Sequence, residues 1–223
     1  MAENSELVAS GNRLLDLFRT PEVDLGILER GDVNDQPAIR RPSPGLIAAK
    51  NAALRQLLED NTDREQARVL EGLAQKLGST ALNLSWVNLS GLRLNNLQLP
   101  YVNLRAAILN GTELKGANLR GADFSEALGR KMSLSGAYII GANACGAVFQ
   151  DVDLSSARAQ NVDWTDADLT GANLSGALMV GSIFNQTSLA RVNWRDGEVP
   201  ILTDSTKINV VTSGGAIDQL LQD

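Results

Sequence analysis

The sequence predicts a mainly β solenoid made of units too short to fold alone, with an α-helical N-terminal flank and a small C-terminal cap. Centres that are never polar, twenty of them large and apolar, recur every five positions without insertion from Leu84 to Trp194, which makes 23 units between Leu82 and Asp196. That period suits neither a helix, which smears every fifth residue around its axis, nor an unbroken strand, which throws successive ones onto opposite faces. It suits a very short strand followed by a corner, repeated so that each unit restarts facing the same interior. Aromatic residues are only 4% of the chain, so that interior is built from Leu, Ala and Val.

In chain order, residues 1–20 read as an amphipathic helix, with Leu7, Leu14, Leu15 and Phe18 at helical spacing and Pro21 closing it. Residues 21–44 are charged and hold Pro37, Pro42 and Pro44, the pattern of a linker or arm. Residues 45–81 form a helical cap, either one helix or two: one part carries Leu54, Leu57 and Leu58, the other starts at Thr62 and Glu65, spaced as a capping box, and runs through Val69, Leu70, Leu73 and Leu77. The open end of a solenoid exposes apolar side chains and unpaired strand edges, so the stripe from Val69 to Leu77 is the candidate N-terminal cover. Residues 82–199 are the repeat, and 200–223, with a strand at 207–211 and a helix over 216–221, are the C-terminal cap. The segment from Leu7 to Phe18 is left over as a dimer contact.

Within each unit the residue two before the large centre is Ala in eleven cases and never charged, the residue before the centre is Asn or Asp in eleven, and the residue two after it is Gly in ten. Small residue and centre lie two apart and point inward together, the residues beside them point out, and Gly supplies the corner. The stretches ANLRG (117–121), ADFSE (122–126), ADLTG (167–171) and ANLSG (172–176) resemble the A(D/N)LXX motif of pentapeptide repeat proteins. The resemblance implies a right-handed quadrilateral β-helix with four units and 20 residues per coil, hence about six coils. At the ~4.8 Å strand spacing the rod is roughly 28 Å long. Spacing by 20 stacks Leu84, Leu104, Phe124, Ala144, Trp164 and Phe184 on one side and places Gly129 beneath Phe149 on the next, with volume lost at one centre refilled by its neighbours. The early units depart from the motif, with Leu82, Val87, Leu92, Leu97 and Val102 where small residues are usual, so the first coil is expected to be wider, less regular or engaged with a cap.

Several function classes are excluded or disfavoured. There is no histidine, hence no Ser-His or Cys-His pair, and no zinc or dinucleotide fingerprint, so no catalytic, cofactor or metal residue is expected. Cys145, the single cysteine, falls one past a centre and points outward as a bystander thiol. The formal charge is −6, and residues 82–196 hold nine basic and nine acidic side chains, so direct nucleic-acid binding is not expected. No run of about 18 apolar residues exists and the N-terminus lacks signal-peptide features, which points to a cytoplasmic chain without a membrane span.

Two surface features remain. Ile108, Leu128 and Val148 occupy successive outward positions of the second side where Asn or Asp is usual, forming an apolar stripe, and Tyr138, Ile140, Leu178 and Val180 form another on the fourth. Such stripes serve the chain's own N-terminal segment, a homodimer through the flanking helices, or a protein partner of unknown identity. Asp151, Asp153, Asp163, Asp166 and Asp168 form an acidic patch. The expected function is a non-enzymatic rigid module for protein–protein interaction. The alternative is a DNA-mimic protein that binds DNA gyrase or topoisomerase, because the resembled family includes quinolone-resistance proteins of that kind; neutral charge and few Phe centres weigh against it.

Overall fold

The computed structural model describes residues 15–19, 42–58, 61, 63–77 and 82–194. The expected capping residue Thr62, the arm over 21–41, most of the N-terminal segment and the C-terminal cap lie outside these residues. Among the described residues a helical turn over 15–18, inside the expected N-terminal helix, and two longer helices, α1 (Pro44–Leu58) and α2 (Asp63–Leu77), precede the repeat.

From Asn83 onward the chain winds so that residue i pairs in parallel with residue i+20: Asn83 with Asn103, Asn103 with Asp123, Asn88 with Ile108, and so on to Asn173 with Asn193. Each bridge is a single residue pair, four per turn of 20 residues, which makes a tube with four sides. Its interior takes the five-residue centres and the small residues two before them, from Leu84, Leu104 and Phe124 to Trp164 and Phe184, nearly all buried.

One unit shows how the backbone is satisfied. In the unit Ala122 to Glu126, the Asp123 N–H donates to the previous coil at Val102 O (3.0 Å), while Phe124 and Glu126 donate to the next coil at Asn143 O (2.7 Å) and Cys145 O (2.9 Å). The Ala122 N–H closes the preceding corner on Leu119 O at 3.1 Å. The fifth, Ser125 N–H, is taken by the Asp123 carboxylate at 2.9 Å. The same side-chain bond runs from the residue after the centre to the Asn or Asp before it at Ser85, Ser90, Arg105, Cys145, Ser155, Thr165, Thr170 and Ser175. This is why the position before the centre favours Asn and Asp: it is not merely polar, it closes a turn by accepting a backbone N–H two residues on. Its outward direction, which the spacing alone predicts, does not reveal that role.

The corners obey one rule. The residue two after each centre has positive φ from Trp86 to Arg191, at ten glycines and at twelve other residues, among them Ala106 (52°), Glu126 (60°) and Lys131 (55°). The repeat imposes the left-handed conformation even on side chains that resist it by roughly 1–2 kcal/mol. Pro100 sits in the second turn position, between Leu99 and Tyr101, where its fixed φ suits a turn whose third residue has positive φ.

Mid-tube, the volume exchange is visible. Gly129 is a centre without a side chain, and a Cβ there would lie 2.9 Å from both Met132 Cε and Phe149 Cδ1. Phe149 thus leans into the space that Gly129 leaves, with its ring edge-on to Phe124 (centroids 5.8 Å apart) and to Trp164 (6.3 Å). Such perpendicular packing suits aromatic quadrupoles.

At the N-terminal mouth the first coil has no preceding coil to pair with, and the flank stands in. The Asn83 N–H donates to Phe18 O at 2.8 Å, the Asn88 N–H to the Asn51 side chain of α1 at 2.7 Å, and the Gln98 N–H to Glu71 of α2 at 2.8 Å. The Asn83 carbonyl accepts from the buried Lys50 ammonium at 3.1 Å. Leu54, Leu58, Leu70 and Leu73 belong to one continuous core with Leu82, Val87 and Leu97, and Leu92, another of the large residues that depart from the repeat motif, lines one pocket with Leu54 and Leu58. Phe18, expected to be left over for a dimer, is fully buried against its own chain, and Arg19 bridges Leu82 in antiparallel.

Candidate interaction surfaces

The four sides present different chemistry. On the second, the ladder runs Asn88, Ile108, Leu128, Val148, Asp168, so the three apolar residues are stacked neighbours between polar ends. Leu128 is 42% exposed and its two neighbours are half-buried. None of the three can accept the turn-closing N–H. The Arg130 N–H instead reaches across a coil to the Asn110 side chain at 2.9 Å.

On the fourth side the structure corrects the expected stripe. The ladder places Arg158 directly between Tyr138 and Leu178, and the same register sets Gln160 between Ile140 and Val180. The four apolar residues are therefore not contiguous, because the 20-residue spacing puts one polar residue in each gap.

The five aspartates of the acidic patch fall on three sides of the tube. Asp163 is on the first, Asp168 on the second and Asp153 on the third, each accepting the N–H of the residue two on. Asp166 and Asp151 are corner residues with positive φ. Burial pushes the Asp163 carboxyl up, yet hydrogen bonds from the Thr165 hydroxyl and N–H and from the Cys145 thiol hold it below the usual carboxylate range. Burial acts likewise on Asp168, outweighed by Thr170, Gln150 and the charge of Arg130. Much of this acidity is committed to the turns themselves.

The half-buried Cys145 thiol is pushed up to about 12 by burial first, then by its hydrogen bond to Asp163 and by the surrounding carboxylates. A thiol so protonated is a poor nucleophile. Lys50 is 3% exposed, and burial lowers it to about 8. It also donates to the Asn83 side chain at 3.2 Å, and its position is structural, at the mouth of the tube. Among the described residues no group of His, Cys, Asp or Glu could hold a metal ion. Among the same residues no helix is long and apolar enough to cross a membrane.

The repeat is matched independently by the sequence profile described as Pentapeptide repeats, in eight copies over residues 98–128, 133–163 and 147–186. This chain belongs to the pentapeptide repeat family. Family members form right-handed β-helices, and the 20-residue ladder is that of a β-helix. Among solved structures, the chain is similar to a pentapeptide repeat protein of the Arabidopsis thaliana thylakoid lumen, at 31% identity over 41% of this chain and 71% of that one, TM-score 0.27. It is also similar to QnrB1, a plasmid-mediated fluoroquinolone resistance protein, at 20% identity over 63% and 81% of the two chains, TM-score 0.30. A third is the pentapeptide repeat protein Rfr23 of the cyanobacterium Cyanothece 51142, at 20% identity over 59% and 84%, TM-score 0.31. No curated protein sequence matches the chain.

Proposed function

We propose that this pentapeptide repeat chain is a non-enzymatic binding module, a rigid rod whose second side docks a protein partner. The observation that carries the reading is the ladder Ile108, Leu128, Val148. In three successive coils the chain forgoes the turn-closing Asn or Asp and exposes apolar surface instead, most fully at Leu128. Folding does not ask for that exchange, since an apolar group left in water gains nothing and a local hydrogen bond is lost. In this reading the winding is right-handed, as in the family's β-helices.

Affinity capture from the native cell with the wild type, Leu128→Asp and the third-side control Ser135→Asp tests it. One prominent co-purifying protein should disappear with Leu128→Asp alone; an unchanged set in all three baits sinks the reading. Imitation of DNA before gyrase or topoisomerase is the weaker reading, because duplex mimicry needs a continuous acidic face and the aspartates here are spread over three sides. A gyrase supercoiling assay with a quinolone addresses it, and inhibition or protection by the wild-type chain would restore it.

A further inference from the structure

The fourth side differs from the others in charge. From Gln98 to Gly181 its outward positions hold no Asp or Glu, although the chain carries a net charge of −6. Tyr138 lies between two guanidiniums, with Arg120 5.4 Å and Arg158 5.3 Å from its ring centroid. Both arginines are exposed, and among the described residues neither has an ion-pair partner. Arg105, one side away, is by contrast neutralised by Glu126. The negative face of the Tyr138 ring steadies both cations, so less side-chain freedom remains to be lost when an anion binds. Two like charges held against one ring also repel each other, and incoming carboxylates relieve that. Ile140 is half-buried beside them, and the exposed ring of Tyr101 lies over Gly121, where a Cβ would come within 2.5 Å of it. Tyr and Arg among aliphatic residues, with acids absent, is the composition of energetic centres in protein interfaces.

The geometry points to the fourth side as a docking surface for an acidic protein segment, its carboxylates on Arg120 and Arg158 and its apolar side chains on Tyr138 and Ile140. Charge complementarity selects the occupant. A nucleic acid is disfavoured, because two cations on a half-apolar face neutralise too few phosphates. The site is separate from the second-side stripe and does not depend on it.

The test titrates the full chain into a fluorescein-labelled twelve-residue peptide of alternating Glu and Leu, read by fluorescence anisotropy. The Lys-Leu counterpart and a twenty-nucleotide single-stranded DNA serve as comparators. The acidic peptide should bind saturably, weaken about tenfold or more in the Arg120→Gln, Arg158→Gln double variant, and bind Leu128→Asp as it binds wild type. Circular-dichroism melting checks that the variants fold, and the single variant Arg158→Glu repeats the test should the double one melt early. No saturable acidic binding with the chain raised to about millimolar, equal binding of the Lys-Leu peptide, DNA binding lost with the same arginines, or loss on Leu128→Asp instead would each overturn the proposal. The last outcome would move the peptide to the second side and leave the proposed function standing.

Discussion

Compare the backbone at Asp123, in the middle of the tube, with the backbone at Asn83, at its mouth. Both residues donate an N–H toward the N-terminal end. Asp123 finds a carbonyl of an identical coil below it, whereas Asn83 finds the carbonyl of Phe18, a residue from outside the repeat. Its carbonyl, which in the next coil accepts the Leu84 N–H at Asn103, accepts the Lys50 ammonium instead. The demand is periodic and the supply at the end is not. A solenoid can therefore use one rule for its body, but it must improvise each contact of its cap, with a side-chain amide at Asn51, a carboxylate at Glu71 and a buried ammonium at Lys50.

Four measurements press on that contrast. The largest effect is expected in the body. Gly129→Ala places a methyl against Phe149 and Met132, and overpacking of this kind costs about 1–3 kcal/mol. Urea midpoints should fall accordingly, and the double variant with Phe149→Leu should lose less than the two single losses added, since the smaller side chain vacates the contested space. Independent additivity would mean that the two sites do not share that volume.

At the mouth, the test is pH. The folded state holds Lys50 near 8, below its ordinary 10.5, so between these values the unfolded chain binds more protons than the folded one and stability rises with pH. Within that window each pH unit adds at most about 1.4 kcal/mol. Lys50→Met should flatten that slope; a slope that survives the substitution assigns it to another group.

Smaller effects follow at the improvised contacts. Asn51→Ala and Glu71→Ala should each cost roughly 0.5–1.5 kcal/mol, with faster amide exchange at Asn88 and Gln98 respectively and none at Phe124. If exchange quickens along the whole tube, the mouth and body are one cooperative unit. The smallest change is a gain: Lys131→Gly relieves a corner at φ 55° and should stabilise by about 0.5 kcal/mol, the αL penalty less the entropy glycine brings to the unfolded chain.

Much of the body was legible because its rule is local. Five-residue spacing named the interior from Leu84 to Trp194, and glycine marked ten of the corners, though the twelve corners held by other residues carry no such mark. The surface was legible only in part. Ile108, Leu128 and Val148 could be stacked by counting twenties, and the same count exposes Arg158 as the break between Tyr138 and Leu178. The Arg120–Tyr138–Arg158 stack could not be foreseen, since it depends on how long side chains lie across coils. Nor could the cap contacts of Lys50, Asn51 and Glu71, which join residues 27 to 37 positions apart with no periodicity to announce them.

By itself the sequence determined the five-residue step and the inward face of each unit, because every unit repeats the same small, polar, large and corner choices and each choice acts within a few residues; four steps to a turn is what the family resemblance implied and the ladder of residues 20 apart shows. Tertiary structure alone decided how the tube begins, where Phe18 lies, and which outward side chains meet. Those outcomes depend on distances across space between unlike segments, and a repeat encodes only the contacts between like ones.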